Sequence, residues 1–163
     1  MAELTPLDEK LAEVLGLAQA AQQATTHVAG MEGADAFKPA LEKMKDQAAE
    51  TERRTDGLID TFEGRKTAIR EKARETKTEA VDMMKTYLEG EEEALDGFEF
   101  LSMAEAGELC HWEIVQVIAG EAGESDAKTL ADWAVDVQQR HVAGVRKAYL
   151  GLAAEEAKEM ASA

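Results

Sequence analysis

The densest grouping of chemistry-bearing side chains in this 163-residue sequence is Glu105, Glu108 and His111, followed further along by Gln138 and His141. The stretch GELCHWE contains a Glu-x-x-His step. On a helix, that spacing sets a carboxylate and an imidazole about one turn apart, the way a bundle offers anionic oxygen and neutral nitrogen to one metal ion. Helical spacing sorts these residues further. Phe98, Leu101, Glu105, Glu108, Trp112, Val115 and Ala119 step by three and four, so both carboxylates share a seam with core residues. His111 falls on the adjacent stripe with Ala104 and Ile118. Glu108 and His111 are therefore not the primary chelating pair, and His111 reads as a half-buried structural histidine, with a ligand role as the secondary candidate.

Two acids on a core seam demand compensation. Carboxylates about 6 Å apart repel by roughly 3 kcal/mol at an effective dielectric near 20, and each loses hydration worth several kcal/mol more if left unpaired. The final helix supplies partners. Its seam reads Ala131, Ala134, Gln138, His141, Val145, Ala148 and Leu152, which turns Gln138 and His141 inward among small side chains. Antiparallel packing across the GEAGES turn, with arms of nearly equal length on either side, brings Glu105, Glu108, Gln138 and His141 into neighbouring layers. Those four residues form the candidate metal set for iron or manganese, with Glu105 and Glu108 giving oxygen, His141 nitrogen, and Gln138 a carbonyl or supporting contact. The competing arrangement is a metal-free polar network, in which Arg53 or Arg54 turns inward and neutralises an acid in place of the metal.

The elements that must position these groups are helices. Ala, Glu, Lys, Leu and Gln dominate, prolines number two and aromatic residues make up only 5%, a composition that predicts an all-α protein of one domain. Thr5 is an N-cap with Pro6 behind it, and Leu7, Leu11, Val14, Ala18, Ala21, Thr25 and Val28 form one stripe up to Gly30. MEGAD makes a turn, and Asp35 is expected to cap a second helix that carries Phe37, Leu41, Met44 and Ala48 inward to at least Leu58. Residues 57–90 are charged and interrupted by Gly57, Gly64 and Gly90, yet Glu71 with Arg74 and Asp82 with Lys85 have helical spacing, predicting a mostly helical crossover. A second hairpin then runs from 92 to 157, with Ser125 expected as the N-cap of its last helix. Hairpin 5–58, crossover 57–90 and hairpin 92–157 describe a four-helix bundle with one long connection.

The hairpins also resemble each other. LGLAQ reads against LSMAE, and VAGMEG against IAGEAG, which sets Gln19 and Gln22 opposite Glu105 and Glu108.

With those residues placed, the chain resembles the ferritin-like superfamily, in particular its rubrerythrin-like and bacterial stress-induced branches. In that family each hairpin contributes a Glu from its first helix and a Glu-x-x-His from its second, and two hairpins enclose a di-iron centre. Glu105 is similar to the first-helix Glu, Gln138-x-x-His141 to the Glu-x-x-His, and Glu108 to the additional carboxylate of rubrerythrins. The motifs cover residues 98–148. Gln138 replaces a carboxylate, and the first hairpin has Gln19, Gln22 and Arg54 where ligands would stand, so the site is degenerate. The resemblance implies iron binding with peroxide or oxygen chemistry in a stress response. The other expectation is a non-enzymatic helical scaffold or protein-interaction module built on the metal-free network.

Charge and composition bound the partners. A net charge of -16 disfavours nucleic acid and anionic membrane surfaces. Half of the 18 basic residues lie between Arg53 and Lys85, where interleaved acids make that stretch a solvated face. The single cysteine, Cys110, excludes an internal disulfide and is expected to be a packed thiol. His27 reads as a favourable C-terminal cation, Trp112 and Trp133 as core anchors, and Met83, Met84, Tyr87 and Leu88 as crossover packing. Absence of an apolar run long enough to span a bilayer predicts no stable membrane association, and a cytoplasmic homodimer is the expected form.

Overall fold

The computed structural model describes residues 3–163. Five helices account for most of them: α1 (Pro6–Ala29), α2 (Lys38–Ile59), α3 (Lys66–Tyr87), α4 (Ala94–Ala122) and α5 (Ser125–Ser162). The all-α expectation is borne out, and between the pairs α1–α2 and α4–α5 the chain runs through the single helix α3. Among the described residues, no helix is long and apolar enough to cross a membrane.

α1 begins as its sequence dictates. The Thr5 side chain accepts from the Asp8 backbone N–H while the Asp8 carboxylate accepts from that of Thr5, a reciprocal capping box with Pro6 at the first helical position. Asp8 is itself buried and also receives Arg65 Nη1 at 2.7 Å, which ties the start of α1 to the link before α3. Two other caps differ from expectation. Asp35 lies in a short 3₁₀ turn and pairs with Lys38 instead of capping α2, whose N-cap position is Phe37. Ser125 is already inside α5, and the N-cap residue Glu124 caps nothing with its side chain. α4 runs through Gly120, so the turn closes in only two residues; Gly123 adopts φ 71°, the left-handed conformation that ends helices at little steric penalty. Gly57 does not break α2.

α1 packs on α2, α3 and α4; α4 packs on α5; and α2 meets α5 more loosely. The helices α1, α2, α5 and α4 thus close a four-membered ring, with α3 laid along the outside of α1. Side-chain pairing fixes directions: Gln19 and Gln22 reach Glu52, Glu105 reaches His141, Gln47 reaches His141, and Glu13 reaches His111. Second contacts in reversed chain order, Glu32 with Ala94 at the α1–α4 end and Arg54 with Trp133 between α2 and α5, make those neighbours antiparallel, as the short turns do for α1 with α2 and α4 with α5, so α2 and α4 are parallel to each other. The chain leaves α2 at one end of the bundle and must enter α4 at the other, a span that α3 bridges with 22 residues, about 33 Å at 1.5 Å each. A close crossing holds α3 in place. A Cβ on Gly16 would stand 2.4 Å from the Ala73 carbonyl oxygen, so only glycine lets the two backbones approach so nearly. At the far end, Glu32 in the first turn exchanges backbone hydrogen bonds of 2.8 Å with Glu92 and Ala94, seating the start of α4.

The apolar interior is divided in two. One cluster contains Leu11, Leu15, Ile59, Ile69, Trp112, Val115 and Leu130; the other contains Val28, Leu41, Met44, Phe98, Leu101 and Val145. On each of the four ring helices, polar residues separate the two: Gln19 and Gln22 on α1, Gln47, Thr51, Glu52 and Thr55 on α2, Glu105 and Glu108 on α4, Gln138 and His141 on α5.

Candidate functional site

The α4 seam lies as its spacing requires: Phe98, Leu101, Glu105, Glu108, Trp112, Val115 and Ala119 are all buried. Of the α5 seam, Ala131, Ala134, Gln138, His141, Val145 and Ala148 are buried, and Leu152 is partly so. Glu105, with only 1% of its surface accessible, is the hub of the middle layer. Its Oε2 accepts from Gln138 Nε2 at 2.9 Å and faces His141 Nδ1 at 3.0 Å. The other ring nitrogen, His141 Nε2, lies 2.7 Å from Gln47 Oε1 on α2. Three helices are joined through one imidazole. The donor and acceptor roles of the two ring nitrogens follow from which way the Gln47 amide faces.

Glu108, one turn along, is buried almost as deeply but has no hydrogen-bonding partner among the described residues. Desolvation pushes its carboxyl well above the ordinary value of 4.5, and the nearby Glu105 charge raises it further. His111 is half-buried, as expected, but points away from this layer: Nδ1 donates to the Gly107 carbonyl at 2.7 Å, and Nε2 lies 3.3 Å from Glu13 Oε2.

Neither arginine neutralises these acids. Arg53 and Arg54 are exposed and both bind Glu50, holding its carboxyl down to about 2. Arg54 also lies 4.2 Å over the Trp133 ring. In the first hairpin, Gln19 and Gln22 donate to Glu52 at 3.1 and 2.5 Å. The two hairpins therefore carry inverted versions of one motif: α4 gives the acid and α5 the donors, whereas α1 gives the donors and α2 the acid. Gln47 and Glu52 are the functional positions that sequence reasoning missed. A polar residue beside an apolar stripe was the only signal for Gln47, and its partner lies 94 positions away. Cys110 is exposed, contrary to the packed thiol expected.

A divalent cation requires lone pairs from several donors converging on one point. Here Glu105 Oε2 has two partners already, both His141 nitrogens face protein oxygens, and Glu108 is driven towards its neutral form. Among the described residues, no three His, Cys, Asp or Glu side chains come together in a group suited to a metal. As arranged, the donors of Glu105, Gln138 and His141 are turned towards one another and towards Gln47. Compared with known proteins, the chain matches no family model, no curated protein and no solved structure.

Proposed function

We propose that this chain is a ferritin-like bundle whose metal layer has become a metal-free hydrogen-bonded network, and that it serves as a non-enzymatic helical module acting through its surfaces, as a homodimer or with a protein partner. The observation that carries this reading is the engagement of both His141 nitrogens, one with Glu105 and one with Gln47. An imidazole held on both sides has no free lone pair to give a cation. Fold-level support comes from two antiparallel hairpins joined by a crossover that runs the length of the bundle, and from the polar layer at mid-height to which all four ring helices contribute. The network's work in this reading is structural: it fixes the register of α2, α4 and α5, since a one-residue slip would leave a buried acid and a buried ring without partners.

Metal analysis of protein produced with iron and manganese supplied, followed by thermal melting with and without each metal, tests the proposal. It expects no stoichiometric metal and unchanged melting. One bound ion per chain, lost in Glu105→Ala and His141→Ala, would instead establish the iron-binding reading and overturn this one. Light scattering gives the mass that separates self-association from a module waiting for another protein.

A further inference from the structure

We propose that the groove between α1, α3 and α4 binds a small hydrophobic amine, with its ammonium group meeting the Glu108 carboxyl and its apolar body lying against the groove walls. The groove encloses about 330 Å³, within the range of small-molecule sites. Ala20, Ala21 and Ala24 form its α1 wall, Met84 and Tyr87 its α3 wall, and Phe100 and Ala104 its α4 wall. The small side chains of α1 are what leave the space open. Seven large apolar side chains are exposed among the described residues, and three of them, Met83, Tyr87 and Met103, stand around this one groove. An apolar concavity with an apolar rim favours an apolar guest.

Glu108 specifies the head group. It lines the groove together with His111, is 5% accessible and, unlike that histidine, has no hydrogen-bonding partner among the described residues, so it is the buried polar group of the groove that no protein group engages. A neutral guest can offer that group only an uncharged hydrogen bond, and an anionic one would meet the charge of the nearby Glu105. An ammonium ion converts an isolated buried acid into an ion pair with a charge-assisted hydrogen bond, and the Tyr87 and Phe100 rings, 5.7 Å apart, add faces that attract cations. The basic group nearest in sequence, His111, is committed elsewhere, with Nδ1 on the Gly107 carbonyl and Nε2 towards Glu13. The net charge of -16 draws cations to the protein in general; a second apolar cavity also holds a buried carboxyl, that of Asp8, but Arg65 already pairs with it. The inference rests on Glu108 and the groove walls and is independent of the Glu105 network.

Isothermal titration of the full chain with 4-phenylbutylamine, 4-phenylbutanol and 4-phenylbutyrate tests it. The amine is expected to bind at least tenfold more tightly than the alcohol, and the carboxylate not at all. Glu108→Gln should remove the amine's advantage while leaving the alcohol unchanged. Met103→Lys, at an exposed rim position that tolerates substitution, should weaken the amine about tenfold and the alcohol little. Equal affinity for amine and alcohol, or an amine affinity untouched by both substitutions, would overturn the proposal.

Discussion

Glu105 and Glu108 are the same residue type, three positions apart on one face of one helix, and both are buried. Their surroundings could hardly differ more. Glu105 looks across the bundle to α5, where Gln138 and His141 meet its oxygen. Glu108 looks towards the groove under α3, where alanines, methionines and aromatic rings meet it. The helix supplies identical chemistry at both positions; the neighbour opposite decides whether the acid becomes a hinge pin of the fold or a carboxyl facing a groove with no protein partner. Burial alone is therefore a poor guide to what a carboxylate does in a bundle core.

The contrast is easiest to break from the Glu105 side. Glu105→Ala strips Gln138 and His141 of their common acceptor and is expected to cost about 3–5 kcal/mol, the usual loss when one partner of a buried pair is deleted, measured by urea denaturation. Glu108→Leu should go the other way. It removes a desolvated acid with no partner and is expected to raise stability by about 1–3 kcal/mol at pH 7, read in the same titration.

The pH dependence sharpens the difference. Because Glu108 has a raised pKa in the folded protein, the folded state holds a proton that the unfolded chain releases. Its contribution is most favourable below the ordinary value of 4.5 and is lost as pH rises from there through the raised folded value. Wild-type melting temperature should thus fall relative to Glu108→Leu as pH increases across that window, and parallel curves would refute the assignment. The smallest expected effect is that of Gln47→Ala, which removes the outer contact of His141 and should cost about 0.5–1.5 kcal/mol, with hydrogen exchange quickening where α2 meets α5.

Much of this layer was legible in the sequence, and the reason is phase. Apolar neighbours at three- and four-residue spacing lock the rotation of α4 and α5, so the inward direction of Glu105, Glu108, Gln138 and His141 follows from Leu101, Trp112, Ala134 and Val145. What lies opposite each acid does not follow. Arg53 and Arg54 were plausible neutralisers until their rotation on α2 set them among solvent and Glu50, and Gln47 emerged as a partner only once α2 was placed beside α5. The caps at Asp35 and Ser125 failed for a local reason: capping depends on the residue just before the helix and its backbone conformation, and those positions fall to Phe37, in the right-handed helical region, and to Glu124, neither of which makes a side-chain cap bond. The course of α3 along α1 was hidden because its determinant is an absent side chain, that of Gly16.

The account rests on Glu105 being satisfied by protein groups and Glu108 being unsatisfied. The most direct test is the unfolding free energy of Glu105→Gln and Glu108→Gln, measured side by side at pH 7 in the presence of a chelator. Opposite signs are expected, with Glu105→Gln destabilised by about 1–3 kcal/mol and Glu108→Gln unchanged or stabilised. Equal losses from both substitutions would contradict the account.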